Sequence, residues 1–355
     1  MTVAFYAPLK PPDHPVPSGD RAMARALMAA LALGGLAVTL ASDLRIYDGQ
    51  GDAQRQDALQ SAAEAEVARV LASQQARRWR VWLTYHNYYK APDLIGPPVA
   101  RALGIPYLQV ESTRARKRLT GPWARFATAA EAASDAAHTI FYLTQRDAET
   151  LRRDAPPGQT LRHLPPFLAR TDLPAASTGH GPMLSVGMMR TGDKLASYAL
   201  IAQTLAALPA GLDWTLDIAG DGPARSDVDT LMAPFGNRVT LLGALDAQAL
   251  AARYGHASLL LWPGVNEAFG LTYLEAQAAG VPVIAQDRPG VRDVVTGPLI
   301  GIGGGAEAMA ARITTLLTDA KVRRDAGRQA RQVIAERHLL NVAARTLEQT
   351  VETLI

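Results

Sequence analysis

The sequence predicts an α/β protein of two domains, each a parallel sheet covered by helices on both faces. Three observations carry this. Along both halves, short apolar runs of strand length alternate with stretches of helical apolar spacing. At residues 262–285, WPGVNEAFGLTYLEAQAAGVPVIA, a strand end, an acidic loop, a helix start and a second strand follow without padding; strands that are apolar throughout belong to parallel sheets buried on both sides. At 355 residues the chain exceeds what one core usually holds, and with 48% hydrophobic residues it can fill two.

In chain order, 3–9 (VAFYAPL) reads as a strand, followed by a proline-rich loop and a helix over 20–33 with Ser18 and Asp20 as caps. Gly19 sits at that strand-to-helix turn, where a missing Cβ lets backbone amides approach a phosphate. A strand at 36–41 and a long helix over 52–79 come next. The third strand, 80–85 (RVWLTY), ends on His86 and Asn87. A polar pair leaving the carboxyl end of a parallel strand is predicted to face a ligand, so His86 and Asn87, with Tyr85 before them, are candidate binding residues. A helix at 97–103 and strands at 106–110 and 139–143 complete the half, Glu111 falling at the end of the fourth strand. Prolines at 165, 166, 174 and 182, with Gly179 and Gly181, mark the boundary.

The second half repeats the alternation. Strands are predicted at 183–188, 214–219 and 239–243, with helices at 192–208 and 246–254. The stretch at 258–285 supplies a strand, a helix from Leu271 stopped by Gly280 and Pro282, and a last strand. A glycine loop at 301–305 and three helices, 306–318, 321–338 and 339–355, close the chain.

The chemistry concentrates at 266–275. Ligands of open parallel sheets sit at the carboxyl ends of the strands, so the loop of Asn266, Glu267, Ala268, Phe269 and Gly270 is a binding edge. The helix start at Gly270, Leu271 and Thr272 offers backbone N–H groups and about half a positive charge, which suits a phosphate. Glu275, one turn in, is placed to accept two hydrogen bonds from a vicinal diol such as a ribose, each worth about 1.5–3 kcal/mol because the acceptor is charged. Glu267 faces what lies beyond the phosphate. Arg190 and Lys194, after the strand at 183–188, add two cations to the same edge.

The run NEAFGLTYLEAQAAGVPVIA resembles the E-x7-E signature of the retaining glycosyltransferases of family 4, with Ala268 where a proline is common. The resemblance implies a GT-B fold: two facing, doubly wound, Rossmann-like domains, the C-terminal helix crossing back to the first. Residues 1–173 with 340–355 would bind the acceptor and 174–339 the nucleotide-sugar. It further implies transfer of a hexosyl group from a UDP- or GDP-linked donor to a lipid-linked or polysaccharide acceptor with retention. Neither metal nor cofactor is called for, the nucleotide-sugar being a substrate. Arg190, Lys194 and the helix start at 270–272 would hold the diphosphate, Glu275 the ribose, and His86 and Glu267 the sugar. Gly19 would face the diphosphate, and the stretch from Gly243 would meet the base. Against the family's GRLxxxKG, the Arg190 to Lys194 spacing is one residue short and Leu195 stands where glycine is usual. Two other readings share the architecture, a nucleotide-sugar epimerase and a non-catalytic partner protein.

Composition narrows the setting. The chain has no cysteine, hence no disulfide framework or thiolate metal site. The uncharged run at 26–42 is broken by Gly34 and Gly35 and reads as helix, turn and strand rather than a membrane span. No signal peptide is expected from the first residues, so the sequence predicts a cytoplasmic protein. Residues 1–170 carry 21 Lys and Arg against 15 Asp and Glu, and the rest 15 against 18. No aromatic-and-basic nucleic-acid module is visible. The segment TRARKRLTGPWARF places Arg116, Lys117 and Arg118 near Trp123. It reads either as solvated surface or as a basic patch that grips an acceptor diphosphate or rests on the inner face of an anionic membrane.

Overall fold

The computed structural model describes residues 1–16 and 18–355. The strands are β1 (Thr2–Tyr6), β2 (Ala37–Ser42), β3 (Trp79–Asn87), β4 (Tyr107–Ser112), β5 (Thr139–Tyr142), β6 (Thr160–His163), β7 (Met183–Val186), β8 (Leu216–Ala219), β9 (Val239–Gly243), β10 (Leu260–Leu261) and β11 (Val283–Ile284). The helices of the first half are α1 (Gly19–Leu33), α2 (Ala53–Ala72), α3 (Gly96–Leu103), α4 (Ala124–Asp135) and α5 (Gln145–Asp154). Those of the second are α6 (Asp193–Ala206), α7 (Arg225–Met232), α8 (Ala247–Tyr254), α9 (Leu271–Ala278), α10 (Val291–Val294), α11 (Gly305–Thr318), α12 (Ala320–Arg337) and α13 (Leu340–Glu352).

Two units result, Met1–Ala169 with Leu340–Ile355, and Arg170–Leu339. The first holds a sheet of order β2-β1-β3-β4-β5-β6 and the second one of order β11-β10-β7-β8-β9, every pairing parallel. In the first sheet β1 has β2 and β3 on opposite sides, and in the second β7 has β8 on one side and β10 on the other, so the winding reverses beside the first strand of each. Right-handed crossovers then place helices on both faces and leave a crevice at the carboxyl ends of the two strands that flank the reversal. These are β1 and β3 in the first unit and β7 and β10 in the second.

Burial follows the pattern expected of a doubly covered sheet. Val3, Phe5, Val81, Leu83, Leu108 and Ile140 are fully buried on the first sheet, Ile218, Leu260 and Leu261 on the second. Trp79 and Trp82 pack edge to face at 5.7 Å under α2 and α3 residues such as Val70 and Val99. Helix α13 lies against α1 within the first unit, where Gly34 has Glu348 Cβ 3.1 Å from the place a Cβ would take.

One element is shorter than its apolar spacing suggests. The helix expected over 52–79 stops at Ala72, its end capped at Ser73 with ψ near 141°, because Trp79 is taken into β3 opposite Thr2 and Arg80 follows it. Strand pairing overrides the helix propensity of the alanine- and arginine-rich run. Among the described residues no helix is long and apolar enough to cross a membrane.

Candidate active site

The crevice of the second sheet is built from β7, β10 and the segments that leave them. After β7 the chain turns at Gly192, with φ 78°, straight into α6. Lys194, in the first turn, places Nζ 2.5 Å from Glu267 Oε2. The indole Nε1–H of Trp262, just past β10, donates to the same oxygen at 3.2 Å, and Lys194 Nζ stands 5.2 Å over the Trp262 ring. Glu267 is thus held as an ion-paired carboxylate with one oxygen engaged twice, in the strong class of hydrogen bonds. The shortened Arg190 to Lys194 spacing does not keep the lysine from this corner, because the left-handed turn at Gly192 starts the helix early.

The acidic loop is fastened to α6 at two further points. Asn266, itself at φ 51°, donates to Asp193 Oδ2 at 2.9 Å, and the Val265 N–H donates to Ser197 Oγ at 3.0 Å. Tyr273 OH reaches back to the Trp262 carbonyl at 3.0 Å. On the far side, Gly290 runs so close that a Cβ there would strike the Ala268 carbonyl, and its φ is 85°. Gly290→Ala is therefore expected to cost at least about 1–3 kcal/mol from the left-handed backbone alone. Urea unfolding measures it, and an unchanged midpoint would mean that the loop is free to move away.

Gly270, φ 71°, caps α9, whose first N–H groups at 271 and 272 have no partner within the helix. Ala268 is exposed and Phe269 half-buried beside it. Behind them, the buried Tyr254 hydroxyl lies 2.8 Å from Thr272 Oγ1 and donates to Glu275 Oε2 at 3.1 Å. Burial raises the Glu275 pKa above the usual carboxylate range, a rise that the Tyr254 hydrogen bond opposes. Arg190 is exposed near the end of β7. Gly243, φ 73°, ends β9 and accepts from the Gly220 N–H at 2.8 Å.

In the first unit, Gly19 opens α1 behind the cap Ser18, whose Oγ accepts from Arg21 N at 3.2 Å. His86, next to the last residue of β3, has φ 70°, and its Nδ1 lies 3.8 Å from Asp20 Oδ1. Burial lowers the His86 pKa, against the pull of Asp20 and Asp147. Tyr85 is buried, its phenol against Glu111. Asn87 does not face a ligand. It is fully buried and donates through Nδ2 to the Ala130 carbonyl at 3.0 Å and to Ser134 Oγ at 2.9 Å, while its Oδ1 accepts from Asp93 N at 2.9 Å. The side chain ties β3 to α4 and to the turn before α3, since β3 is covered on both faces and this residue points inward.

The basic run is largely tied into the fold. Arg114 is buried between Glu131, at 2.9 Å, and Asp135, at 2.6 Å. Arg116 pairs with Asp154 at 3.0 Å. The Arg118 guanidinium lies 5.0 and 5.2 Å from the ring centres of Tyr89 and Trp123, and the Trp123 indole N–H donates to the Asp48 carbonyl at 3.2 Å. Lys117 is exposed.

Residues 191–333 match the family described as "Glycosyl transferases group 1". The match lies within the second unit. The chain is 37% identical over 139 residues to a GDP-mannose-dependent alpha-mannosyltransferase of Mycolicibacterium smegmatis, which covers 38% of this chain and 35% of that protein. It is 26% identical to the alpha-D-kanosaminyltransferase of Streptomyces kanamyceticus over 69% of this chain and 70% of that one. The chain thus spans about a third of the first of these relatives. The solved sucrose-phosphate synthase of Thermosynechococcus elongatus superposes with a TM-score of 0.74 at 20% identity, covering 100% of this chain and 99% of that one. Anabaena HepE, in complex with UDP and glucose, superposes at 0.71 and 16% identity, with full coverage of both chains. The fold is the GT-B fold of these glycosyltransferases.

Within the matched residues, Glu267, Lys194 and the start of α9 meet at one edge, and Glu275 lies behind it. Sequence reasoning missed the two aromatic residues that hold the acids. Trp262 stands five residues before Glu267, at a position where a strand end gives no hint of an inward N–H. Tyr254 ends α8, and only the tertiary fold brings it to Glu275. In the first unit, Asp20 reads in sequence as a helix cap, and no local pattern marks Asp147.

Proposed function

We propose that the chain is a retaining glycosyltransferase, moving a hexosyl group from a UDP- or GDP-linked sugar to a saccharide acceptor without a metal ion. The observation that carries this is the Lys194, Glu267 and Trp262 cluster at the crevice of the second sheet, beside the N-terminus of α9. Fixed donors aimed at developing charge are the largest single source of rate enhancement in such reactions. Lys194, Arg190 and the N–H groups at 271–272 take that role toward the leaving diphosphate, and Glu275 accepts from the ribose hydroxyls. The bond from the anomeric carbon to the phosphate oxygen breaks, and a bond to the acceptor oxygen forms on the same face. The acceptor's proton passes to the departing phosphate. Glu267 serves to position the sugar rather than to attack it, since Lys194 and Trp262 occupy its Oε2. His86, at the crevice of the first sheet, is assigned to holding a sugar hydroxyl.

The first unit is assigned to the acceptor. The relatives named above act on different sugars and acceptors, so linkage and acceptor are open to the test below. Contact with an anionic membrane rests on the exposed Lys117 and Leu119, because Arg116 and Arg118 are engaged by Asp154 and by the two aromatic rings. At about 1 kcal/mol per basic residue near such a surface, that attachment is weak and reversible.

Incubating the chain with labelled UDP- and GDP-sugars in EDTA is expected to yield free nucleotide diphosphate and a glycoside of unchanged anomeric configuration. Turnover lost in EDTA and restored by Mn²⁺ would remove the metal-free reading. An epimerised donor with no nucleotide released would replace transfer by epimerisation.

A further inference from the structure

Two adjacent strands of the first sheet carry, one residue before their ends, non-glycine residues in the left-handed region, His86 at φ 70° and Glu111 at φ 57°. Tyr85 pairs with Val110 and Asn87 with Ser112, so His86 and Glu111 stand side by side at the carboxyl edge. The first turn of α1 adds Asp20, 3.8 Å from His86 Nδ1. The first turn of α5 adds Asp147, whose Oδ2 accepts from Thr144 Oγ1 at 2.7 Å. Tyr85 closes the floor against Glu111. Four elements therefore converge three carboxyl groups and one imidazole on the crevice of this unit.

The grouping is unsatisfied as it stands. His86 Nδ1 and Glu111 Oε2 are both shut off from solvent and have no hydrogen-bond partner among the described residues. Asp20, Glu111 and Asp147 form no ion pair with a lysine or arginine among the described residues. Arg146, the cation next in sequence to Asp147, is exposed and has the smallest of the influences on that carboxyl. Buried polar atoms left unpaired cost about 1–3 kcal/mol each, more when charged, so a native arrangement of this kind calls for an external partner.

We infer that this crevice recognises a primary ammonium group carried by the acceptor, an amino sugar or an aminocyclitol. An ammonium has three donors and no acceptor, and the group offers matching acceptors in Glu111 Oε2, His86 Nδ1 and the Asp20 and Asp147 carboxylates. A hydroxyl supplies one donor and leaves the excess of carboxylates uncompensated. The inference rests on the reading of the first unit as the acceptor half.

Glu111 carries a proton that an ammonium ligand must release. Burial, then the neighbouring Asp147 and Asp20, push the Glu111 carboxyl up to about 8, so it is largely protonated at pH 7. Burial keeps His86 neutral, and Asp147 is likewise raised by burial. An ammonium beside Glu111 favours its charged form, so binding at pH 7 expels the Glu111 proton.

Calorimetry at pH 7 in two buffers of different ionisation enthalpy reads both claims. 2-Deoxystreptamine and glucosamine are the probes, with their N-acetylated forms as controls. The amines are expected to bind at least tenfold more tightly than the acetylated forms and to release close to one proton. Glu111→Gln is expected to abolish the proton release and the preference while leaving nucleotide diphosphate affinity intact. Should that variant not fold, the acetylation contrast and the proton count on the unaltered chain still decide. Equal binding of amine and acetylated forms, or no amine binding at millimolar concentration, overturns the inference. A chain that takes up amines with proton release but no nucleotide diphosphate refutes the transferase reading instead.

Discussion

Glu275→Ala is expected to weaken nucleotide diphosphate binding by about 2–4 kcal/mol, roughly 30- to 900-fold, with little loss of stability. The two effects separate because of what surrounds the side chain. On the ligand side, a carboxylate assigned to accept from two ribose hydroxyls would lose both charged hydrogen bonds. On the protein side, the one bond that the carboxylate makes among the described residues is from Tyr254 OH at 3.1 Å, and that hydroxyl keeps Thr272 Oγ1 at 2.8 Å when Glu275 is gone. No buried donor is orphaned, so the large penalty for an unpaired group does not arise. The burial that raises the Glu275 pKa is removed along with the acid. Titration calorimetry with UDP and GDP, beside a urea melt, gives both numbers. Unchanged affinity would take Glu275 out of the donor site, and a collapsed melt would show that its role is structural.

How much of this was readable beforehand depends on how the residues are distributed along the chain. Glu267, the helix start and Glu275 lie within one stretch of 262–285, where strand, loop and helix signals follow each other. Local pattern alone set them on one edge, and α9 does begin at Leu271. The group of Asp20, His86, Glu111 and Asp147 is the opposite case. Dozens of residues separate its members, and only the order β1-β3-β4-β5 with α1 and α5 brings them together. A sequence shows each as an acid or histidine at an element end, a position where solvated side chains are common. The available sign is that Glu111 continues the strand Tyr107, Leu108, Gln109 and Val110 without a turn residue to lead it outward.

Asn87 shows where the pattern misleads. A polar residue at the end of an apolar strand reads as ligand-facing when one side of the strand is open. β3 is enclosed on both sides, so inward and outward positions are alike apolar and alternation carries no direction. The amide instead joins Ser112, Ala130, Ser134 and Asp93 in a buried network. The basic run at 114–118 misleads for a related reason. Charge density is visible in sequence, but the acids that consume it, Glu131, Asp135 and Asp154, come from α4 and α5.

The pairing of Lys194 with Glu267 makes their losses interdependent. Lys194→Ala is expected to lower kcat by about 10²–10³, the cost of removing one preorganised donor to a developing oxyanion. Glu267→Ala is expected to act on the same step by a different route. Without its carboxylate, Lys194 Nζ loses its 2.5 Å partner and is left above the Trp262 ring, free to settle on the diphosphate in the ground state as well as at the transition state. Tighter ground-state binding does not raise turnover, so nucleotide affinity should rise or hold while kcat falls. Because each single change already dismantles the pair, the double variant should lose less than the product of the two, with a coupling of about 1–3 kcal/mol. Turnover and nucleotide affinity of the four proteins test this. Additive losses, or a Glu267→Ala protein whose nucleotide binding falls in step with kcat, would mean that the ion pair is a surface contact and that the leaving diphosphate is stabilised by Arg190 and the α9 N-terminus without it.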